Sequence, residues 1–546
     1  MEEQEVVSHK NRLRVLCLLG AAIPVWNSAV AAEVPAGTVL AERQELVESN
    51  GSEPATLDPL KAESNVEMHI LADFFEPLLH VNDDGSLEGR LAQRWEQPTP
   101  TEYLFHLRPG IKWSNGEPIT AEQWVWSWQR LVNPANASPF ATYLESMNVL
   151  NADAIIKGTK PVADLGVKAL DAQTVQVTLN APLPWFLQMV EQASLFIVNP
   201  QTVEKFGDKW TQPQNMVSSG AYTLSEWSVN EKLVGVRNQQ YWDNAKTVIN
   251  KITYLPISAE TAEVNRYRAG EIDVTATIPT TQFAQLKKKL GDEVRVSPLL
   301  ATYYYEFNTQ KPPYDDARVR RALNMGLDKD IIADKVVGQG QTAAWHFTPQ
   351  NIAGYHITPA PYSQWPREKR IQQARKLLAE AGFGPQNPLK VTLLFNTSEN
   401  HQRIAIAASS MWKKNLGVEV EMKNQEWKTM LDTKRSGDYQ LVRYGWIGGL
   451  AGPSTFLNNF MTHDSNNSSH FSDRQYDAAM NRTLTATTQA EREINYNQAE
   501  AILAEQAPAI PVYHYVQPQL VKPWVGGFKA SASGEYFARQ MYIIKH

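Results

Sequence analysis

The sequence contains almost no cysteine: its 546 residues include only Cys17. Cys17 lies inside an apolar run near the N-terminus, and removal of that run would leave a chain without any thiol. Such a chain forms no disulfides and has neither thiolate metal ligands nor a cysteine nucleophile. Cys17 also precedes most of the apolar run, whereas a lipid-modified cysteine would follow it. The sequence therefore disfavours a lipid anchor.

Long apolar stretches are absent as well. The run at 15–26 is shorter than the roughly 20 residues that a membrane-spanning helix requires. It follows two arginines and precedes an A-x-A site at 29–31, an order typical of a secretory signal peptide. Pro24 disfavours the alternative, a buried N-terminal helix. We therefore expect residues 1–31 to be a signal peptide that is removed by cleavage near Ala31. The mature protein is then expected to function in a bacterial periplasm.

The charge balance excludes another class of protein. The net charge is −6 at pH 7, which is a solubility property and not the basic surface of a nucleic-acid-binding protein. A chain of this length is expected to divide into two or three lobes. Its 16 Trp and 20 Tyr can form cores, or can surround an extended ligand.

Motifs of the common enzyme classes are missing. The sequence has no G-x-x-x-x-G-K-[ST], no H-E-x-x-H and no G-x-S-x-G. His463, Asp464 and His470 lie close together, but their spacing matches no standard metal site and favours a solvated loop. Asp315-Asp316 follows two prolines and is interpreted as a turn and a helix cap. We predict neither an enzyme nor a cofactor.

Strand and helix patterns alternate along the chain. The alternation at 103–107 predicts a half-buried strand, and the capping box at 120–123 predicts the start of a helix. That helix would carry Trp124, Trp128 and Leu131 as a core stripe. Further patterns predict helices at 318–327, 371–381, 401–412 and 491–505, and a buried strand at 391–395. Such alternation implies an α/β fold with mixed sheets and crossover helices.

Longer strings are more specific than these patterns. They read N-T-Q-K-P-P-Y-D-D-A-R-V-R-R-A-L at 308–323, R-Y-R-A-G-E-I-D at 266–273, S-G-A-Y at 219–222, Y-W at 241–242 and W-S-N-G-E-P at 113–118. With these strings the chain resembles the periplasmic substrate-binding proteins of peptide ABC importers, the family of oligopeptide- and murein-tripeptide-binding proteins. The resemblance extends from about Glu33 to the C-terminus.

The resemblance implies a two-lobed α/β fold with an additional third domain and two crossovers between the lobes. We expect lobe I to comprise 32–75, 200–300 and 517–546, the additional domain to comprise 76–199, and lobe III to comprise 301–516. A hinge motion would close the lobes over the ligand, and a permease of the inner membrane would recognise the closed form. The family implies a monomer.

The resemblance also implies a set of ligand-binding residues. Arg443 and His401 are candidates for holding a ligand carboxylate, and Lys434 stands where a further arginine is usual; Lys434 and Arg435 also fit a solvated loop. The ligand itself would lie extended, its backbone bound as an added strand. Other positions that match the cleft lining are Trp446, Gly445, Trp427, Asn396, Tyr304 and Tyr515, with Glu63 as an acidic residue at the cleft edge.

One position departs from the family pattern. Peptide binders of this group carry an aspartate after the tryptophan that pairs with the α-ammonium of the ligand, and here Gly449 stands in its place. No carboxylate occurs from Arg443 to Phe460. Other replacements are Phe140 for a tyrosine, Ala276 for an asparagine and Val337 for a lysine, while Ala301 and Ile447 occupy the positions of two cysteines.

A buried ammonium without its counter-charge costs about 2–5 kcal/mol. The sequence therefore predicts a ligand that is not an ordinary free-amine oligopeptide, unless Glu63 compensates; blocked, γ-linked or cell-wall-derived peptides and amphiphilic organic acids all fit. The predicted function is delivery of a peptide or peptide-like solute to an ABC importer. The alternatives are a periplasmic sensor or chaperone that binds without transport and, less favoured, a secreted hydrolase.

Overall fold

A four-stranded mixed sheet is the first layer of the fold. The computed structural model describes residues 32–82, 86–183, 185–350, 352, 355–448 and 452–546. The predicted signal peptide at 1–31 lies outside these ranges. The sheet has the strand order Glu45–Ser49, Lys251–Leu255, Lys232–Arg237 and Tyr222–Ser228, of which the first two are parallel.

A second sheet is formed by the part of the chain that lies between Ser49 and Tyr222, both of which belong to strands of the first sheet. It is antiparallel, with the order Ala92–Thr99, Glu102–Leu107, Thr174–Thr178 and Val167–Asp171. The predicted strand at 103–107 is confirmed within Glu102–Leu107. The capping box is also confirmed, because Thr120 and Gln123 cap the helix Ala121–Val132, whose Trp124, Trp128 and Leu131 are fully buried.

The third sheet is the largest and is mixed. Its six strands lie in the order Thr342–Ala343, Ala509–Leu520, Val294–Phe307, Leu441–Ile447, Lys390–Asn396 and Glu419–Gln425. The strand at 390–396 confirms the predicted buried strand and is parallel to both of its neighbours. Helices cover this sheet, and the long helix Glu399–Leu416 follows directly on the strand at 390–396.

Two long antiparallel strands join this sheet to the first part of the fold. Val294–Phe307 and Ala509–Leu520 pair along nearly their whole length, with a shift in register between Pro298 and Thr302. Val294 and Leu520 pack in a small core with helix residues that precede them, whereas Tyr303 and Tyr305 belong to the core of the six-stranded sheet. The strands are therefore the two crossovers.

The helix predictions are confirmed with altered bounds. Expected helices correspond to Ala317–Met325, Arg367–Glu380, Glu399–Leu416 and Gln489–Gln506, and Asp316 caps the first of them as expected. Further helices span Asn65–Phe74, Glu260–Ala269, Phe283–Leu290, Trp427–Arg435 and Arg474–Thr485. Short strand pairs join Leu79–Val81 to Leu87–Gly89, and Val525–Gly526 to Tyr542–Ile543. In the described ranges, no helix combines the length and apolar character needed to cross a membrane.

Candidate functional site

A cavity of about 480 Å³ lies between the first sheet and the six-stranded sheet. Its walls include residues at the carboxyl ends of the strands Glu45–Ser49, Lys390–Asn396 and Leu441–Ile447. Strand ends are where open α/β sheets form clefts, because the connections diverge there. Phe140 and Thr142 form another part of the wall. They lie in the segment that connects two strands of the second sheet, Glu102–Leu107 and Val167–Asp171.

Arg443 is a buried cation in this cavity. Its Nη1 donates to Asn396 Oδ1 at 3.1 Å, its Nη2 donates to the Tyr515 hydroxyl at 2.5 Å, and its guanidinium lies 4.6 Å from the ring centre of Tyr303. The side chain makes no ion pair with a carboxylate of the described chain, and its Nε has no partner there. Only 7% of the residue is exposed. A buried charge without a counter-charge is costly, so the cavity favours an anion.

His401 lies beside this cation. Burial, and secondarily the charge of Arg443, lower the pKa of His401 well below its usual range. The imidazole is therefore neutral at neutral pH, with one nitrogen able to donate and the other to accept. Its Nδ1 is buried without a partner in the described chain. His401 lies in the first turn of the helix Glu399–Leu416. Ser398 caps this helix by accepting from the His401 backbone N–H at 3.2 Å.

The wall around Arg443 is formed by aromatic side chains and one glycine. Trp427 stacks on Tyr444 with ring centres 6.0 Å apart, and Trp446 donates from Nε1 to the Thr455 carbonyl at 2.7 Å. Gly445 has no side chain, and a Cβ there would lie 3.1 Å from the Tyr515 hydroxyl. Glycine therefore preserves the contact between Tyr515 and Arg443.

Most residues that the sequence predicted for the site line the cavity. They are Arg443, His401, Asn396, Gly445 and Trp446, together with Trp427, Tyr515, Glu63 and Phe140; the replaced positions Ala276 and Val337 line it too. Contact with a ligand stays a prediction for each of them. Gly449 lies outside the described residues.

Glu63 is held by a partner on the opposite wall. Its Oε1 accepts from Arg435 Nε at 2.7 Å and lies 2.5 Å from Nη2 of the same guanidinium. Glu63 precedes the helix Asn65–Phe74, whereas Arg435 ends the helix Trp427–Arg435. The pair therefore joins these two segments and leaves Glu63 with its charge already matched.

Two expectations from the sequence need correction. Tyr304 does not line the cavity: it is almost fully buried in a core and packs against Phe347 with ring centres 4.9 Å apart. Lys434 and Arg435 do not lie in a solvated loop but form the last turn of a helix. The Lys434 ammonium is close to Glu306, at 3.5 Å, in a largely buried position.

The predicted loop at 463–470 contacts the segment around Thr142. Thr142 Oγ1 is 2.9 Å from Ser465 Oγ, and the Asp464 carboxylate accepts from the Asn466 backbone N–H at 2.8 Å. Burial raises the pKa of Asp464 to about 6. No group of three or more His, Cys, Asp or Glu suited to a metal occurs within the described residues.

The sequence did not indicate a further wall of the cavity. This wall contains His69, Tyr143, Glu191, Glu535 and Tyr536, which come from four segments distant in the sequence. His69 Nε2 is 2.7 Å from Glu48 Oε2, and its ring centre is 4.3 Å from that of Tyr536. No motif links these segments, and only a map of contacts between them would have indicated the wall.

The two sides of the cavity are held together by a carboxylate at a helix N-terminus. Glu260, in the helix Glu260–Ala269, accepts from the backbone N–H of Glu399 at 2.8 Å and of Asn400 at 3.3 Å, and contacts Ser398 Oγ at 2.5 Å. These groups begin the helix Glu399–Leu416 under the six-stranded sheet. A carboxylate there satisfies free N–H groups and the helix dipole, so the contact stabilises the described arrangement of the two sides.

The chain matches curated periplasmic proteins over nearly its whole length. It is 48% identical over 528 residues to the periplasmic oligopeptide-binding protein OppA of Escherichia coli, covering 96% of this chain and 97% of that protein. It is also 41% identical over 539 residues to the probable deoxycholate-binding periplasmic protein YgiS of the same organism, covering 98% and 99%.

Solved structures agree with the fold described above. The chain has a TM-score of 0.92 and 46% identity to the murein tripeptide binding protein MppA of Escherichia coli, covering 93% of this chain and all of that one. The TM-score to the unliganded open form of MppA is 0.64, covering 94% and 99%. The described arrangement is thus unlike that open form.

These likenesses agree with a match to a family of binding proteins. Residues 86–468 match the family described as bacterial extracellular solute-binding proteins, family 5 Middle. The match covers most of the chain, including the second sheet and much of the six-stranded sheet. The two-lobed α/β fold expected from the sequence is that of the solved relatives. The chain belongs to family 5 of the bacterial extracellular solute-binding proteins.

Proposed function

We propose that this protein captures a carboxylate-bearing peptide or peptide-like solute in the periplasm and delivers it to an ABC importer. The observation that carries the proposal is Arg443, a buried cation in a cavity and without a carboxylate partner in the described chain. A ligand carboxylate would supply the missing counter-charge. OppA and MppA, by name an oligopeptide-binding and a murein peptide-binding protein, support the solute class.

Recognition of the carboxylate follows from the donors around it. Asn396 and Tyr515 fix the guanidinium of Arg443, so little side-chain entropy is lost when the ligand binds. Neutral His401 adds a hydrogen-bond donor without placing a second charge beside Arg443. Charge-assisted hydrogen bonds in a water-excluded site are about twice as strong as neutral ones. This end of the cavity is accordingly the anchor for the anionic end of the solute.

The opposite end of the ligand is proposed to lack an ordinary α-ammonium. The sequence has no carboxylate from Arg443 to Phe460, and Glu63 is occupied by Arg435. Blocked or γ-linked peptides and amphiphilic organic acids fit this arrangement. YgiS, which is named as a probable deoxycholate-binding protein, supports the second class, since deoxycholate is a carboxylic acid without an amine.

Capture is proposed to be a hinge motion between lobes. We assign 32–75, 200–300 and 517–546 to lobe I, 76–199 to the additional domain and 301–516 to lobe III. The three large sheets fall mainly within these divisions, and the two crossover strands run between the lobes. Only the closed form would present the surface that the permease recognises, which makes delivery depend on ligand.

Two measurements on the mature protein test this function. Mass spectrometry of the denatured protein is expected to release an intact acidic small molecule, and calorimetry is expected to show binding of N-acetyl-tetraalanine. Turnover of the peptide would instead indicate a hydrolase. If the protein binds the peptide but does not support its uptake through a permease, the result would favour a sensor or chaperone. A protein that retains no solute and binds neither the acetylated nor the free tetrapeptide would contradict the proposal.

Closure gives a further prediction, centred on Glu260. X-ray scattering should show a monomer whose radius of gyration falls when N-acetyl-tetraalanine is added. Glu260→Ala removes a cap worth about 0.5–2 kcal/mol from the closed form alone, so compaction should require about three- to thirtyfold more peptide. Glu231→Ala, at an exposed position, is the matched control. An unchanged radius at saturation would contradict the hinge.

A further inference from the structure

Glu535 is a cavity residue carried on a fixed turn. Its backbone N–H donates to Ser531 Oγ at 3.1 Å, and Gly534 turns the chain with φ +81°. Ala532 in this turn accepts from the Leu300 N–H at 2.8 Å, while the Leu300 carbonyl accepts from the Gly448 N–H at 2.9 Å. Because both groups of Leu300 point to one side of the strand, the turn lies beside Gly448.

This position is well separated from the carboxylate anchor. Gly448 follows Arg443 along the extended strand Leu441–Ile447, which corresponds to about 16 Å of strand. The distance is comparable to the length of an extended tetrapeptide. A ligand whose carboxylate reaches Arg443 can therefore present its other end to Glu535.

The carboxyl group of Glu535 is available to a ligand. It makes no hydrogen bond or ion pair with the part of the chain that the structure describes, although the residue lines the cavity. Glu191, in contrast, is already bound by His80 and by the Val81 N–H at 3.1 Å. Gln517 lies against Gly534 of the same turn, and its Oε1 is buried without a partner among the described residues. An acceptor without a donor thus lies against the turn that carries Glu535.

We propose that Glu535, with Gln517 beside it, binds a neutral hydroxyl or amide group at the end of the ligand remote from Arg443. The inference rests on the proposed function and names the chemistry of the second end of the solute. An amide or hydroxyl donates one hydrogen bond and accepts another, which matches a carboxyl group next to an amide oxygen.

The surrounding charges favour a neutral group over an ammonium. Arg539 and His69 act on Glu535 as cations, and His80 does so when protonated. The Glu48 carboxylate raises the pKa of His69 against the opposing effect of burial, which favours the charged imidazole. An incoming ammonium would meet these like charges. Burial, and then the carboxylate of Glu191, raise the pKa of Glu535 to about 7, which allows it to donate as well as accept.

Calorimetry with N-acetyl-tetraalanine and tetraalanine tests the assignment. Glu535→Gln keeps the shape and hydrogen-bonding capacity, so the affinity for the acetylated peptide should stay within about twofold. Glu535→Leu removes both hydrogen bonds and should weaken it about tenfold, the effect of a typical hydrogen bond in a buried site. Glu231→Gln, at an exposed position, is the control, and thermal melts check the fold of each variant.

Each contrary result overturns a distinct statement. If Glu535→Leu binds the acetylated peptide as tightly as wild type while Arg443 remains essential, the inference fails and the proposed function stands. If Glu535→Gln is as weak as Glu535→Leu, and wild type prefers tetraalanine with affinity rising from pH 6 to 7.5, Glu535 is an anion that binds an ammonium. Wild type that binds neither peptide would overturn both the function and the inference.

Discussion

Arg443→Met is expected to weaken binding of N-acetyl-tetraalanine by about thirtyfold or more while the protein stays folded. The guanidinium would pair with the peptide carboxylate where water cannot replace it, and loss of one partner from a buried charge pair costs about 2–5 kcal/mol or more. Methionine approximates the length of the side chain without its charge. The fold should tolerate it, because Arg443 forms no ion pair in the described chain.

The control for this prediction is Arg295→Met, since Arg295 is an exposed arginine on one of the crossover strands. Calorimetry and thermal melts of both variants should show lost binding only for Arg443→Met and similar melting temperatures for both. A tetraalaninamide, which has no carboxylate, should bind wild type weakly and be insensitive to the Arg443 substitution. Equal affinity of wild type and Arg443→Met for the acetylated peptide would remove Arg443 from the site.

Gly449→Asp is expected to increase the affinity for tetraalanine by about thirtyfold or more. The substitution supplies the carboxylate that the family resemblance leads us to expect at this position, and the pairing of a buried ammonium is worth at least about 2 kcal/mol. N-acetyl-tetraalanine should gain nothing, because its neutral amide offers no charge. Calorimetry with the two peptides measures the difference.

The pH dependence of that gain provides a check. The α-amine has an unperturbed pKa of about 7.7–8.0, so the gain should shrink as the pH rises above that value and the ammonium loses its proton. Gly449→Asn, of nearly the same size but uncharged, is the matched control and should show no gain. If wild type already binds tetraalanine tightly and Gly449→Asp adds nothing, another group holds the ammonium and the proposed ligand class is wrong.

Local sequence patterns correctly predicted several of the individual elements. The capping box at Thr120 and the stripe of Trp124 and Trp128 depend only on residues within a few turns of one another, so the sequence could predict them. Helix ends were less accurate: the predicted start at His401 differs from the observed start at Glu399, because Ser398 rather than the apolar pattern begins that helix.

The site shows where such reasoning stops. Motif context correctly placed Arg443, His401 and Trp446 around one cavity. It placed Tyr304 there as well, although Tyr304 is buried in a core against Phe347 and does not line the cavity. A match to a family motif does not by itself show whether a side chain lies in the cavity or in the core beside it.

The sequence by itself determined the family and several helices and strands, because each is encoded by contiguous residues. Only the tertiary structure decided that Glu63 is neutralised by Arg435, that Glu260 caps the helix at Glu399, and that Glu535 lies beside Gly448. These contacts join segments that are distant in the sequence. Their energies depend on distance and burial, which arise only when the sheets pack around the cavity.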